Sequence, residues 1–445
     1  MCSSSIMSHQ LLSSAALLGF FIMSPARAHA EPPPSPPSTV APPAGPVIEL
    51  APDDAEPKLP AVAIGQGKVS DADVMRGLRE RRYRAAQESL GHTSIGGYGE
   101  IQVIGLTSGK DDARQWSADV RRLVLFVAHS FTSNIRAYTE LEVEHAKQVE
   151  IEQAIVDWTV AGRYLGLRAG LLLIPMGLTN EVHEPPAFNG VVRPRLETVV
   201  IPSTWRELGA GFFGNPTDTL RYQLYAVTGI NPLGMAAGGF ASGLGNGANS
   251  KAKAWAVVGR VEYEPVAGIV VGVSGYASDA GKNATYHLRD RSSVDVSVPV
   301  LGYSIDARMR RAGLECKALF TEWHLPGSSA LMHTFDDAGK RLFADTAGPL
   351  PTRMRGAYVE GGYDVFRPFH LSHQLVPFAR VEGYSTQAAV PDGFKANPTY
   401  SIREHTFGVS YRPVREVAVK ADYQLRNRKA GPDETQINFG VGFMY

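Results

Sequence analysis

The sequence predicts an all-β protein, a transmembrane antiparallel β-barrel of about 16 strands with a short N-terminal periplasmic helix. Three observations predict this fold class. Apolar and polar residues alternate from Ile95 to the end of the chain, and one of the two alternating faces is rich in charge. Beyond the first thirty residues, no apolar run approaches the roughly 20 residues that a transmembrane helix needs. The last strand ends the chain on an aromatic residue, Tyr445.

Composition and charge narrow the class further. Glycine (45 residues), tyrosine (17) and phenylalanine (18) are abundant, which suits tight turns, strands and interfacial aromatic side chains. The formal net charge of zero excludes a global attraction for nucleic acid. Of the two cysteines, Cys2 is expected to leave with a signal peptide, so no disulfide is expected within a mature chain that keeps Cys316.

The segment before the barrel divides into three predicted parts. Residues 1–30 have the pattern of a secretory signal peptide, because an apolar stretch precedes an A-x-A cleavage pattern at 28–30. Residues 31–68 are a proline-rich linker, which favours extended polyproline II structure. Residues 69–92 are a short basic periplasmic helix. Its basic face either contacts an anionic partner or is solvated, and the second interpretation is favoured.

Residues 95–445 are the predicted barrel domain. The last strand points one set of residues outward, namely Ile437, Phe439, Val441, Phe443 and Tyr445. The opposite set is Gln436, Asn438, Gly440, Gly442 and Met444. A soluble secreted β-sandwich also alternates, but about ten tilted residues per strand are what a bilayer crossing needs. Because lipid cannot satisfy backbone polar groups, the sheet must close, and the last strand is expected to pair with the strand that begins near Ile95.

The charged face of the alternating runs is predicted to line a water-filled lumen, where an entering ion exchanges hydration for side-chain contacts. Alternation gives the following pore-lining residues: Arg136, Arg168, Arg221, Arg260, Arg308, Arg310, Lys317, Arg380, Lys420, Glu140, Glu142 and Glu262. Two interpretations remain open. The charges pair across strands and stiffen the wall, or unpaired arginines form a basic ladder that suits phosphate or carboxylate.

A long loop interrupts the strands between residues 176 and 204, because five prolines in and beside it forbid a regular sheet ladder. The loop either folds inward and sets the narrowest point, or points outward and makes subunit contacts. The inward alternative gives five constriction-loop candidates: His183, Glu184, Arg193, Arg195 and Glu197. In both alternatives, Trp205 is expected near an interface.

The stretch from Leu171 to Gly214, the opening Ile95-Gly96-Gly97-Tyr98-Gly99-Glu100 and the Glu140–His145 strand resemble the phosphate-selective porin O and P family. The resemblance covers about Ile95 to Tyr445. It implies an outer-membrane porin of a Gram-negative bacterium, usually a homotrimer, that passes small hydrophilic solutes or ions by passive diffusion. It also implies outer-membrane lipid as the surroundings of the barrel and a periplasmic N-terminal segment. Tyr445 resembles the terminal signal read by the barrel-assembly machinery. A preference for anions such as phosphate is a hypothesis.

Enzymatic signatures are weak or absent in the sequence. Gly209–Gly214 matches G-x-G-x-x-G, but no βαβ pattern surrounds it, so a strand with inward glycines is expected. His145 and His183 match no standard metal-ligand spacing. The sequence therefore predicts no enzyme activity, no cofactor and no metal site. The alternative function is an outer-membrane barrel with an adhesion, assembly or lipid-modifying role.

Overall fold

The computed structural model describes residues 93–109, 113–248, 250, 252–343 and 348–445. The predicted signal peptide, linker and basic helix lie outside these residues. The described strands are β1 (Thr93–Ser108), β2 (Gln115–Ser130), β3 (Ile135–Glu144), β4 (Gln148–Ala161), β5 (Leu165–Leu173), β6 (Arg206–Gly214), β7 (Leu220–Thr228), β8 (Trp255–Val266), β9 (Ile269–Asp279), β10 (Tyr286–His287), β11 (Ser293–Val294), β12 (Pro299–Arg311), β13 (Leu314–His324), β14 (Arg353–Tyr363), β15 (Gln374–Ala389), β16 (Ser401–Val414), β17 (Val417–Arg428) and β18 (Glu434–Met444).

Sixteen of these strands form one closed antiparallel barrel, in which β1 to β9 and β12 to β18 follow one another around the wall. The pair β10 and β11 is a separate small hairpin. Short helical turns occupy the loops: Pro185–Ala187, Leu196–Val199, Pro232–Gly234, Ala241–Gly243, Ala280–Asn283, Ser328–Leu331, Arg367–Phe369 and Pro398–Tyr400. The predicted 16-stranded barrel is confirmed.

The first and last strands close the wall. Tyr98 of β1 lies opposite Met444 of β18, and Ser108 lies opposite Glu434. At the seam, the Gly97 and Tyr445 backbones exchange two hydrogen bonds of 3.0 and 2.9 Å. The expected pairing of the C-terminal strand with the first strand is therefore confirmed, and no open sheet edge is left at this position.

The two ends of the barrel differ. One end carries mostly short turns, such as Ala312–Gly313, where both residues have positive φ (54° and 83°) as a type I′ hairpin turn requires. The other end carries the long connections 174–205, 229–254, 280–298 and 325–352. We call these the short-turn end and the long-loop end. Both chain ends of the described barrel lie at the short-turn end, because β1 leaves it and β18 returns to it.

The outer surface of the wall is apolar. Outward side chains such as Val381 (49% exposed) and Phe407 (50% exposed) leave about half of their surface uncovered by the rest of the fold. Large aromatic residues flank this apolar surface: Trp116 and Trp255 near the long-loop end, Trp158 and Tyr263 near the short-turn end. Girdles of this kind mark the two interfaces of a membrane barrel. Within the described residues, no helix has the length and apolar character to span a membrane.

Apolar packing fills much of the lumen toward the long-loop end. Inward residues of the wall, among them Tyr276 and Trp323, pack against Trp205 and Phe240 from two long loops, with ring centroids 4.8 to 5.9 Å apart. The prediction of Trp205 near an interface is wrong: its side chain is 0% exposed and packs inside the barrel. Burial against the neighbouring aromatic rings removes the apolar surface of Trp205 from water.

Candidate functional site

The connection 174–205 folds into the lumen, which decides between the two placements that the sequence left open. Its neck is closed by the backbone bond from Ile174 N to Trp205 O (2.9 Å). The Asn180 amide reinforces this neck, because it donates to the carbonyls of Ile174 (2.7 Å) and Trp205 (2.9 Å) and accepts from Trp205 N (2.8 Å). We call this connection the inserted loop.

The inserted loop reaches the far wall, where charged side chains bind its backbone. Lys420 of β17 donates to the carbonyls of Pro185 (2.6 Å) and Gly190 (2.9 Å). On the same strand, Asp422 accepts from Val191 N (2.6 Å). In this conformation these wall charges bind loop peptide groups in place of water.

Two neighbouring contacts extend this attachment to other strands. Glu382 of β15 accepts from Leu196 N (2.8 Å), and Arg412 of β16 donates to the side chain of Asn189 (2.5 Å). The inserted loop is thus held by β15, β16 and β17 together.

Inward glycines of β18 make room for the inserted loop. A Cβ atom on Gly442 would lie 2.1 Å from Pro185 Cβ, and one on Gly440 would lie 2.9 Å from Val191 Cγ1. The glycines on the inward face of the last strand therefore have a packing reason that the alternation pattern alone did not supply.

We expect Gly442→Ala to lower the free energy of unfolding by about 1–3 kcal/mol, because the added methyl group overpacks against Pro185. Urea unfolding of the refolded barrel, followed by tryptophan fluorescence, measures the change. The matched control is Gly361→Ala on β14, where an added Cβ meets nothing within 4 Å. Equal stability of the two variants would contradict the close contact.

The inserted loop carries all five constriction-loop candidates into the barrel. His183 (0% exposed), Glu184 (1%) and Glu197 (1%) are fully buried, Arg193 (6%) is buried, and Arg195 is partly buried. Their role in a constriction stays a prediction.

Glu197 anchors the loop to the wall. It accepts hydrogen bonds from Leu178 N (2.6 Å), Thr179 N (2.8 Å) and the Tyr358 hydroxyl (2.7 Å). Burial raises the pKa of the Glu197 carboxyl, and the hydrogen bonds oppose that rise.

All twelve residues predicted to line the lumen lie on the inward face of their strands. Many are paired. Arg260 binds Asp306 (2.7 Å), Arg168 binds Asp157 (2.7 Å), and Lys317 donates to the carbonyl of Ala187 (3.0 Å). Much of the wall charge is therefore compensated inside the protein, and the role of these residues as pore lining stays a prediction.

Near the short-turn end, the arginines on β7 and β12 are more exposed than their acidic partners. Arg221 (25% exposed side chain) and Arg308 (13%) both pair with Glu262 (6%). Arg310 (13%) likewise pairs with Glu315 (7%). In these pairs the positive group is the one nearer to water.

A cavity of about 710 Å³ also opens at the short-turn end. Its lining includes Arg367, Arg412 and Arg415, with Asp364 as the acidic residue. The lining of this cavity therefore carries three arginines and one carboxylate.

Sequence reasoning missed several residues that organise the lumen. Asn180 and Asn189 support the loop, and Tyr98 lies fully buried beside Glu152. Glu140, Glu152 and His183, all buried, meet with one possible ligand atom each within 4.8 Å of one another. Spacing in sequence could not reveal this cluster, because its members come from β3, β4 and the inserted loop.

Comparison with known proteins gives one relative and a shared fold. No family model matches the chain. An uncharacterized protein of Aquifex aeolicus (strain VF5) is 31% identical over 370 residues, 79% of this chain and 80% of that protein. The anion-selective porin from Comamonas acidovorans covers 80% of this chain with 100% of its own length, at 9% identity and a TM-score of 0.51. Salmonella typhi OmpF in complex with Daunomycin covers 80% with 98% of its own, at 11% identity and 0.51. These two similarities show the fold.

Proposed function

The chain belongs to the same family as the Aquifex aeolicus protein and has the fold of a porin, and we propose that it is an outer-membrane channel for passive diffusion of small hydrophilic solutes and ions, with a preference for anions. The anion preference rests on one observation. At the short-turn end, Arg221, Arg308 and Arg310 are each more exposed than the carboxylate with which they pair. An ion that enters there meets guanidinium groups first, and these suit phosphate or carboxylate. Selectivity for phosphate, which the resemblance to the O and P family implies, remains a hypothesis.

We expect a small conductance compared with open barrels of the same strand number, which leave a wide aqueous channel. The inserted loop and the apolar cluster around Trp205 occupy the lumen toward the long-loop end. We propose that solutes pass through a narrow route between the inserted loop and the polar wall.

The charge preference is tested by planar-bilayer recording across a salt gradient. We expect a reversal potential of anion sign for the wild type and a shift toward zero for the double variant Arg221→Gln and Arg310→Gln. The control is Arg403→Gln on β16, an exposed arginine on the outward face, which we expect to leave the potential unchanged. A reversal potential of cation sign would refute the preference.

The same reconstitution separates the proposal from the alternative of an adhesion, assembly or lipid-modifying barrel. A folded protein without any conductance would favour that alternative. We also propose a homotrimer, on the resemblance to porins. Light scattering in detergent, corrected for bound detergent, is expected to give the protein mass of three chains. A monomer that conducts would retain the channel and reject the trimer. The recognition of Tyr445 by barrel-assembly machinery is a further part of the proposal.

A further inference from the structure

The Glu140, Glu152 and His183 side chains form a buried group that the permeation proposal does not use; we call it the Glu-Glu-His cluster. All three residues are 0% exposed. Glu152 Oε1 and His183 Nε2 are 2.9 Å apart, and both atoms are buried. An imidazole and a carboxylate at this distance either form an ion pair, with the imidazole protonated, or offer two ligand atoms to one ion.

Each member of the cluster is oriented by a further hydrogen bond. The Tyr138 hydroxyl donates to Glu140 Oε1, and the Tyr98 hydroxyl donates to Glu152 Oε2 (3.2 Å). The Asn180 carbonyl lies 2.9 Å from His183 Nδ1 and accepts its proton. The second oxygen of each carboxylate and His183 Nε2 are thereby aimed at one another. Metal-binding histidines and carboxylates are held by outer partners of the same kind.

A β-bulge brings Glu152 into the cluster. Glu140 pairs with Gln153, whereas the next residue, Leu141, pairs with Ile151, so Glu152 is an extra residue in β4. As a result, Glu152 and Gln153 are adjacent and both buried on the lumen side. Bulges re-aim side chains in this way and are frequent beside functional sites.

Two buried arginines, Arg122 and Arg193, lie near the cluster and lower the charge of Glu152 and its acidic neighbours only in part, since each also has partners other than the cluster side chains. Arg122 is engaged by Glu100 and Glu142, at 3.2 Å each, and both of these carboxylates lie outside the cluster. Arg193 donates to the backbone carbonyl of His183 (3.2 Å). The cluster offers two carboxylates and one imidazole, buried away from water. Divalent first-row metal ions bind oxygen and nitrogen ligands of these kinds.

We propose that Glu140, Glu152 and His183 bind a divalent transition-metal ion such as Zn²⁺, which ties the inserted loop to the β3–β4 wall. Bonds of about 2.1 Å place tetrahedral ligands about 3.4 Å apart, so the present spread of up to 4.8 Å closes by small rotations of the glutamate side chains. Three protein ligands leave one position for water. The site is independent of the proposed permeation, because it requires only the folded barrel.

The test is metal binding to the untagged, full-length protein, with Cys2 and Cys316 replaced by serine to remove thiol ligands. After chelation and removal of the chelator, the folded protein is titrated with Zn²⁺ against a chromophoric chelator. We expect one Zn²⁺ per chain, and an affinity at least about a hundred-fold lower for His183→Gln, since loss of a direct ligand exceeds the 10–100-fold loss typical of an outer partner. The matched control, His145→Gln, removes an exposed imidazole that lies 2.6 Å from Asp119 and leaves the affinity unchanged.

Folding of each variant is checked by its heat-dependent shift on gels. If His183→Gln does not fold, Tyr98→Phe decides: it keeps the ring, removes the hydrogen bond to Glu152, and lowers the affinity about tenfold. Co²⁺ gives a second readout. We expect the visible absorption bands of low-coordinate Co²⁺ in the His145→Gln control, and weaker bands in His183→Gln or Tyr98→Phe. Absence of a stoichiometric site in the folded wild type would overturn the proposal. Equal affinity of all folded variants would overturn it as well.

Discussion

Replacement of residues 176–203 by a four-residue glycine–serine link is expected to raise the single-channel conductance several-fold. The inserted loop crosses the lumen and occupies inward charges of β15, β16 and β17. Once it is removed, water and ions reach these charges, and a 16-stranded wall is wide enough for an aqueous channel. A short link suffices at the neck, because Ile174 and Trp205 are already joined by a backbone hydrogen bond.

The control for this excision is deletion of residues 392–395, an exposed stretch of the connection between β15 and β16. We expect this deletion to leave the conductance unchanged. Both variants are compared as folded proteins in planar bilayers at one salt concentration. A folded excision variant with wild-type conductance would show that the inserted loop does not limit the flow of ions.

The substitution Arg380→Met is expected to lower the free energy of unfolding by about 3–5 kcal/mol, the usual result of removing one partner from a buried ion pair. Arg380 is 1% exposed and binds Glu360 (3.2 Å) and Glu382 (3.1 Å). Methionine fills a similar volume but leaves both carboxylates without this partner. The same carboxylates hold the inserted loop, because Glu360 accepts from Asn189 (3.2 Å) and Glu382 from Leu196 (2.8 Å).

Two further variants define the origin of this loss. Arg403→Met changes an exposed arginine on β16, opposite Gly383 of β15, and we expect a change within about 0.5 kcal/mol. The triple variant Arg380→Met, Glu360→Gln, Glu382→Gln removes the uncompensated charges and is expected to regain part of the stability. Urea unfolding measures all three. A loss no larger for Arg380→Met than for Arg403→Met would argue against a buried network.

The wall of the barrel was predictable because a strand has a side-chain period of two. That period sufficed to place Arg136, Arg260 and Lys420 on the inward face, and the closure of β18 on β1 followed from the need to satisfy every backbone group in lipid. The partners of each charge were not predictable. Arg380 lies opposite Glu360 only in the actual register of β14 and β15, and register depends on turns and bulges that alternation does not report.

The lumen was less predictable than the wall, since its contents come from residues far apart in sequence. Both placements of the inserted loop agreed with its prolines, and the contact of Trp205 with Trp323 (5.9 Å) belongs to the inward one. One signal was present in the sequence: in β4 the polar positions shift phase between Glu152 and Gln153, where the bulge occurs. A break in alternation of this kind identifies a position where two neighbouring side chains point into the barrel.

The barrel wall closes only when β18 pairs with β1, as the backbone contact between Gly97 and Tyr445 shows. Until the last strand arrives, β1 and β17 both expose unpaired backbone groups, which hydrocarbon does not tolerate. Pairing of the two most distant strands also carries a large loop-closure cost that early local hairpins do not bear. A chain that lacks β18 would thus present two open edges of the barrel sheet to proteases, whereas pairing of β18 with β1 leaves this sheet without an open edge. Resistance of the barrel to proteases therefore depends on an intact β18.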